Sequence, residues 1–308
     1  MKKTSHYPFI AALSLSMCFV LINACGSGQG GNCGEGNDGV PSIIDEDADL
    51  DTFRVARLGV GELNQLRGPD EGHSSLVQAF FNDFSEYQVQ LADRLYFSDA
   101  CWVYTSRQVT TGEPLPLAVD GVAVGGLVNG DLNLVPEGDP PTISPEILEG
   151  RAFTDQDVTF DVTSGEGDGE FPSFTAQLPA PDPVVLTRLG DRPDPDLGAG
   201  PSVNISVDRV DPLLVKWQPG NGDYFEFKLV PGSGSDTKHA KLRCITYDDG
   251  CLSVPAEAIV YLVVDKATNF QLKAERHNFE LVSIKEEGQT KAAALIDVSS
   301  TLEGTVLR

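Results

Sequence analysis

Alternation of apolar and polar residues is the feature that most limits which folds this chain can adopt. The alternation is clear in "VNISV" at 203–207, "DYFEFKLV" at 223–230 and "FQLKAER" at 270–276. A period of two residues is typical of antiparallel strands with one buried face. "VTFDVT" at 158–163 and "LLVKW" at 213–217 add the β-branched and aromatic residues that strands prefer. These patterns predict an all-β protein.

Turn-rich segments separate the strands and suggest two domains. "QPGNGD", "VPGSGS", "YDDG" and "KEEGQ" divide short strands at the spacing seen in β-sandwiches. Pro and Asp crowd residues 178–202, and because Pro is excluded from central strands we expect the boundary near residues 180–183. We therefore predict two antiparallel β-sandwich domains, immunoglobulin-like in the broad sense, at 52–181 and 182–308.

Three segments leave the choice between helix and strand open. "SSLVQAFFNDF" at 74–84 favours a strand. "SPEILEG" at 144–150 has Ser and Pro where a short helix would begin and Gly where it would end. "VPAEAIVYL" at 254–262 also has Pro at the first helical position; its β-branched tail argues for a strand, and we favour a short helix.

The N-terminus has the organisation of a secretory signal peptide. Lys2 and Lys3 precede an almost wholly apolar run at 9–22, which is shorter than the roughly 20 residues that cross a bilayer. A positive head, a short apolar core and a small residue before the cleavage site characterise such peptides. Residues 1–24 are therefore predicted to be a signal peptide, and the protein to be exported.

The end of this leader resembles the lipobox of bacterial lipoproteins. Ile22-Asn23-Ala24-Cys25 has an aliphatic residue three positions before the cysteine and a small residue directly before it, while Asn23 departs mildly from the pattern. The resemblance implies cleavage before Cys25, diacylglycerol on its thiol and anchoring to the bacterial outer membrane or cell surface. Several acyl chains on one residue hold a protein stably on a membrane. An ordinary signal peptide with an incidental Cys25 is the alternative.

Residues 25–51 are predicted to form a flexible tether. Residues 26–39, "GSGQGGNCGEGNDG", are half glycine and cannot build a core, and residues 40–51 continue the segment and end in acids. A chain of about 25 such residues has a root-mean-square reach of roughly 25–30 Å. We expect the tether to hold the body away from the membrane.

The charge of the chain excludes some partners. Its formal net charge is −24, and removal of Lys2 and Lys3 would make it more negative. Such a surface repels nucleic acids and anionic lipid head groups. We therefore expect no nucleic-acid partner, and we expect membrane attachment through the lipid.

Four cysteines beyond Cys25 are expected to form disulfides in an oxidising compartment: Cys33, Cys101, Cys244 and Cys251. Of the three pairings, we favour the short pair Cys244–Cys251 with Cys33–Cys101. A two-residue hairpin turn at Asp249-Gly250 would conflict with it, because Cys244 would then lie about 13 Å from Cys251, whereas a disulfide needs Cα atoms within about 7 Å. Metal binding by the thiols is an alternative that no CxxC spacing supports.

Several stretches together resemble a group of uncharacterised lipoproteins of myxobacteria and related bacteria. The stretches are the lipobox, "CWVYTS" at 101–106, "DVTFDVTSGEGDGEFPSFTAQLPAP" at 157–181, "LLVKWQPGNGDYFEFKL" at 213–229 and "CITYDDGCLSVPAEAI" at 244–259. The resemblance implies a surface or periplasmic lipoprotein with immunoglobulin-like sandwiches, and it implies no activity. An antibody-type domain is excluded, because Trp217 precedes both Cys244 and Cys251.

Two acidic groups are candidate calcium sites, because carboxylate oxygens are the ligands that Ca²⁺ prefers. The first group is Asp45, Asp47, Asp49 and Asp51, and the second is Asp155, Asp157, Asp161, Glu166 and Asp168. The first group fails the EF-hand pattern, because that pattern requires Gly at its sixth position and Glu at its twelfth, where this chain has Leu50 and Ala56. Self-repulsion that extends the tether is the alternative reading of the first group.

Catalytic motifs are not recognisable in the sequence. His73, His239 and His277 lie in no known catalytic motif, and "SDTK" at 235–238 reads as a hairpin loop. Carboxylate pairs for glycoside hydrolysis are too numerous among 46 acids to single one out.

An aromatic ligand platform is a further alternative, although we expect Trp217 and Phe225 in the core and Tyr224 facing outward. Its candidate residues are Trp102, Tyr104, Trp217, Tyr224 and Tyr247.

The sequence thus predicts a lipid-anchored, non-enzymatic surface module that contacts a protein or a glycan, or that has a structural role in the envelope. Loops at one end of a sandwich would form the contact surface. A glycan-acting hydrolase and a calcium-dependent adhesion module are the alternatives. Apart from calcium, no cofactor is expected.

Overall fold

The computed structural model describes fifteen parts of the chain, in which the secondary structure is strands and one helix. The described residues are 33, 54–65, 74–83, 88–90, 94–97, 100–105, 109–111, 115–138, 140–165, 170–193, 202–204, 211–231, 240–264, 269–286 and 289–307. The N-terminal strands are β1 Arg54–Gln65, β2 Ser74–Asp83, β3 Gln88–Gln90, β4 Arg94–Phe97, β5 Cys101–Thr105, β6 Val109–Thr111, β7 Leu115–Pro116, β8 Val119–Gly125, β9 Leu132–Leu134, β10 Glu146–Glu149, β11 Val158–Ser164 and β12 Phe174–Leu178. The remaining elements are β13 Leu186–Leu189, β14 Arg192–Pro193, β15 Ser202–Asn204, β16 Leu213–Trp217, β17 Tyr224–Pro231, β18 Ala240–Thr246, β19 Cys251–Val254, α1 Ala256–Val264, β20 Asn269–Glu286 and β21 Gln289–Leu307.

The largest sheet has eleven strands and follows the order β10-β2-β1-β21-β20-β17-β18-β5-β4, with β15 and β7 paired to β21 and β2. Most of its pairings are antiparallel, but β1 and β15 run parallel to β21. Two four-stranded sheets, β12-β11-β8-β9 and β14-β13-β16-β19, and the pair β3-β6 complete the described sheets. The predicted all-β class is confirmed.

Each four-stranded sheet shares a hydrophobic cluster with part of the large sheet. The first cluster joins β8, β11 and β12 to β1, β2 and the half of the β20–β21 hairpin next to its turn, and its members include Val124, Phe160, Leu58 and Ile296. The second cluster joins β13, β16 and β19 to β5, β17, β18 and the other half of that hairpin, and it includes residues of α1. Alternating strands bury one face each, as their sequence pattern predicts.

The β20–β21 hairpin runs through both clusters on one face of the large sheet. Leu272 and Ala274 belong to the second cluster, and Ile284 belongs to the first. These even-numbered positions share a face, because side chains alternate along a strand. An 18-residue strand such as β20 is about 60 Å long.

Residues 179–184 cross from the first cluster to the second; we call this region the waist. Leu178 lies in the first cluster and Val184 in the second, so the chain crosses close to the boundary that the sequence predicts. The domain ranges themselves stay a prediction. Cys101 and Val103 contribute to the second cluster and Ile296 to the first, so neither cluster is built from one side of that boundary.

The ambiguous segments resolve in different ways. Residues 74–83 form β2, as favoured, and α1 confirms a short helix after Pro255. The helix considered at 144–150 is wrong, because Glu146–Glu149 is strand β10, paired with β2. Gly150 has φ +86 and ends a strand rather than a helix.

Within the described residues, no helix has the length and hydropathy needed to cross a membrane.

Both disulfides join distant parts of the chain, and the favoured pairing is wrong. Cys101 pairs with Cys244 and Cys33 with Cys251. Cys101 and Cys244 lie directly opposite each other on β5 and β18, with Cα atoms 4.1 Å apart. Cys251 begins β19 in a different sheet, so the segment between Cys244 and Cys251 is neither a tight hairpin nor a disulfide-closed loop.

Candidate functional site

A buried ion pair holds the waist together. Arg276 and Asp248 have side chains only 1% exposed, and Nε of Arg276 lies 2.6 Å from Oδ2 of Asp248. Nη2 of Arg276 donates to Oδ1 of the same carboxylate at 3.2 Å, which makes the contact bidentate. Asp248 lies in residues 247–250, which join β18 to β19 across two sheets; we call this segment the arch.

The Asp248 carboxylate also gathers the loop after β16. Trp217 Nε1 donates to Oδ1 at 2.7 Å, and the backbone N–H groups of Gly220 and Gly222 donate to Oδ2 at 3.2 and 3.1 Å. Buried carboxylates need such donors, because an unpaired buried charge is costly. The motifs "WQPGNGD" and "DDG" therefore meet at one carboxylate.

Glycine is required around this ion pair for two reasons. A Cβ on Gly220 or Gly222 would lie 2.4 or 2.5 Å from atoms of the Arg276 side chain. Gly250 has φ +93, and a Cβ there would lie 2.9 Å from the backbone oxygen of Trp217. The glycines of both motifs thus make room for Arg276 and for the arch.

Arg276 and its neighbours fix the crossing segment of the waist. Nη1 of Arg276 donates to the carbonyl oxygens of Asp182 and Pro183 at 2.8 and 2.9 Å, and Nη2 donates to that of Gln218 at 2.6 Å. Asn278 donates to the carbonyl oxygen of Pro179, and Asn221 to that of Ala180, both at 2.8 Å. Segment, arch and hairpin are therefore joined by one hydrogen-bond network.

The opposite face of the large sheet carries a second polar group, which we call the charged face: Tyr224, Glu226, Lys228, Arg243, Glu275 and His277. The sheet register places Glu226 directly opposite Glu275, an arrangement of like charges that destabilises a sheet unless it is compensated. Lys228 compensates it, because its Nζ contacts both carboxylates and lies 2.8 Å from Oε2 of Glu226. Arg243 forms a further ion pair with Glu226.

His277 is buried on the charged face and is held by three neighbours. Its ring stacks on Tyr224 with centroids 4.5 Å apart, and its Nδ1 lies 2.8 Å from Oδ1 of Asp297. Nε2 is buried, makes no hydrogen bond to the described residues and lies 3.7 Å from Oε2 of Glu226. Burial lowers the pKa of His277, but the charges of Asp297, Glu226 and Glu275 outweigh burial and raise it above its ordinary value.

The pKa values of Glu226, Lys228 and Arg243 are shifted by the same opposition of burial and charge. Burial raises the pKa of Glu226, but the charges of Lys228, Arg243 and His277 outweigh burial and lower it. Burial lowers the pKa of Lys228 and Arg243, and their carboxylate partners reverse that effect and raise both. Burial and nearby carboxylates together raise the pKa of Tyr224. The shifts favour the charged forms of Glu226, Lys228, Arg243 and His277 and the neutral form of Tyr224.

Glu226, Glu275 and His277 are the group of described residues whose arrangement resembles a metal site. Their ligand atoms lie within 4.8 Å of one another. Lys228 already supplies a positive charge between the two carboxylates, and Arg243 supplies another at Glu226. A metal ion would have to displace Lys228, so the geometry favours a self-compensated charge cluster.

An open acidic groove lies on the outer face of the sheet β12-β11-β8-β9. The groove measures about 700 Å³ and is lined by Asp131, Asp155, Asp157 and Asp161. Gln177 donates to Asp157 at 2.8 Å, and Thr175 donates to Asp161 at 3.1 Å. Three of the acids from the second calcium group thus come together, and calcium binding there stays a prediction.

The remaining predicted residues have different outcomes. Trp217 and Phe225 are buried and stacked with ring centroids 3.7 Å apart, which confirms their core role. The outward position expected for Tyr224 is wrong, because it is buried against His277. Trp102 contacts Arg243, and Tyr247 is exposed in the arch. The candidates that lie outside the described residues are Cys25, Asp45, Asp47, Asp49, Asp51, His73, Glu166, Asp168 and His239.

Sequence reasoning did not identify Asp248, Arg276 or Glu226. One signal was available for Arg276: in "FQLKAER" it has the parity of Phe270, Leu272 and Ala274, so a charge was directed inward and required a buried partner. No such signal was available for Glu226, because the sequence pattern places Glu226 on the face of β17 that is expected to be exposed.

The whole chain matches no family model, no curated protein and no solved structure.

Proposed function

We propose that this protein is a lipid-anchored module of a bacterial envelope or cell surface, which binds a protein or glycan or supports the envelope structurally, without catalysis. The observation that carries the proposal is the order of its first residues: a positive head, a short apolar run and Ile22-Asn23-Ala24-Cys25. In this proposal Cys25 becomes the acylated N-terminus, and the acidic body lies outside the cytoplasm.

The disulfides support export. Cys33–Cys251 and Cys101–Cys244 join residues 218 and 143 positions apart, so both belong to the folded protein rather than to local loops. Structural disulfides persist in oxidising compartments and are rare in the cytosol. An exported protein is expected to retain such bonds.

The finer fold is also part of the proposal. We infer two sandwiches of the broad immunoglobulin type, side by side on the large sheet, because each four-stranded sheet shares its own hydrophobic cluster with part of that sheet. Sandwiches of this kind commonly present loops for contact with partners. A calcium-dependent adhesion module and a glycan-acting hydrolase remain the alternatives.

The experiment that tests the anchor uses two matched cysteine substitutions. Cys25→Ala should abolish incorporation of labelled fatty acid and move the protein from the membrane fraction to the soluble fraction. Cys18→Ala removes the other leader cysteine, in the apolar run, and should leave both properties unchanged. Membrane retention and fatty-acid labelling of Cys25→Ala would refute the proposal.

A further inference from the structure

The Cys33–Cys251 disulfide attaches the N-terminal segment to the body at one definite point. Cys33 lies eight positions after Cys25, and its Cα atom is 5.8 Å from that of Cys251. Cys251 is the first residue of β19 and follows the arch directly. An anchor on Cys25 is therefore connected to the arch through Cys33 and its disulfide with Cys251.

The attachment point belongs to a well-connected part of the fold. Cys251 pairs with Lys216 across the sheet, and its backbone N–H donates to Oδ1 of Asp249 at 3.2 Å. The carbonyl oxygen of Gly250 accepts a hydrogen bond from the N–H of Trp217 at 3.1 Å. Through Asp248, the same arch is bound to Arg276 and to the waist. Tension on Cys33 would thus act on the waist and not on a free loop.

Chain length then limits how far the waist can lie from the lipid. Eight residues of Gly-rich chain have a root-mean-square span of about 15 Å and a fully extended span of about 28 Å. The tether that the sequence predicts, residues 25–51, would reach roughly 25–30 Å on average. The disulfide bypasses residues 34–51, because the load between lipid and body passes through Cys33.

We propose that this disulfide makes the arch the membrane-facing surface of the protein, and that the partner of this surface is the lipid bilayer. The inference rests on the proposed acylation of Cys25. Tyr247 is the exposed aromatic residue of the arch, at 47% exposure, and tyrosine is a side chain that favours the membrane–water interface. The body is held side-on at its waist, with residues 34–51 outside the path of attachment.

Two insertions of equal length test this inference and leave all cysteines in place. Twelve Gly/Ser residues inserted between Cys25 and Cys33 would lengthen the path to the arch, to a root-mean-square span of about 25 Å. The same twelve residues inserted between positions 39 and 40 lie beyond the disulfide and should not lengthen it. Peptide mapping without reduction first establishes that each purified lipoprotein contains the Cys33–Cys251 bond.

The readout is energy transfer from a donor at position 247 to acceptor-labelled lipids in phosphatidylcholine vesicles. The donor is attached to an azido-phenylalanine that replaces Tyr247, which introduces no new cysteine. We expect transfer efficiency to fall with the first insertion and to stay unchanged with the second. A donor at Ile147, which is 74% exposed on β10, should show lower transfer than the donor at position 247.

The possible results separate this inference from the proposed function. Failure of the lipoprotein to float with vesicles would refute both. Flotation with equal effects of the two insertions, absence of the Cys33–Cys251 bond, or transfer at Ile147 equal to or above that at position 247 would refute the inference alone.

Discussion

At the scale of single residues, the structure depends on charges that are buried and matched. Arg276 makes five hydrogen bonds to Asp248, Asp182, Pro183 and Gln218, and His277 lies between Asp297 and Glu226. Breaking a buried pair by removing one partner costs more than the pair itself contributes, because an uncompensated charge remains. The consequences of such changes are therefore large and specific.

Replacement of Arg276 by Met should strongly destabilise the protein. The substitution leaves the buried carboxylate of Asp248 without its cation and three carbonyl oxygens without their donor. We expect a loss of about 3–5 kcal/mol in the free energy of unfolding, measured by denaturant titration. Arg57→Met, on the exposed side of β1, should change it by less than about 0.5 kcal/mol. Equal losses in the two variants would contradict this role of Arg276.

His277 should make stability depend on pH. Its pKa is raised in the folded protein, so its stabilising contribution is complete below its unfolded value of 6.5 and is lost as pH rises through the folded value. The groups that face it are Asp297, Glu226, Glu275, Lys228 and Tyr224. The difference in free energy of unfolding between the wild type and His277→Gln should shrink from pH 6 upward. A difference that is constant or grows over that range would show that the charge of His277 does not stabilise the fold.

At the scale of elements, strands could be recognised from the sequence, but their partners could not. The period of two identifies β17 and β20, and β-branched and aromatic residues identify β11 and β16. Segment 144–150 was ambiguous, since Ser-Pro and Gly mark chain reversals that can flank a strand or a helix, and pairing with β2 decides between them. "YDDG" marks a turn correctly, but only the tertiary structure shows that it joins two sheets.

Two glycines with nearly equal φ angles, one in the arch and one outside it, test whether the tertiary contacts of the arch require glycine. Gly250 has φ +93 and Gly130 has φ +90, but a Cβ on Gly130 would have no atom within 4 Å. Gly130→Ala therefore reports the cost of the backbone angle alone, on the order of 1–3 kcal/mol. Gly250→Ala should cost more, because its Cβ would lie 2.8 Å from Cγ of Pro219. Thermal melting of the two variants measures the difference, and equal melting temperatures would show that the arch can move to accommodate a methyl group.

At the scale of the whole molecule, the long hairpin contributes to both hydrophobic clusters and joins them. Period and turn spacing predicted two packed units, but a sequence does not show that β20 and β21 extend through both. The even-numbered side chains of the hairpin pass from one cluster to the other, with Arg276 at the waist between them. This continuity predicts that the two clusters unfold together.

Phe160→Ala tests that coupling, because the probe and the substitution lie in different clusters. Phe160 is completely buried in the first cluster, and its truncation should cost about 3–5 kcal/mol. The two tryptophans lie on β5 and β16, and Trp217 is buried in the second cluster, so tryptophan fluorescence reports that half of the molecule. We expect Phe160→Ala to lower the midpoint of the fluorescence transition, whereas Phe80→Ala, at a position 42% exposed, should lower it much less. A fluorescence midpoint that Phe160→Ala leaves at the wild-type value would mean that the hairpin does not transmit stability from one cluster to the other.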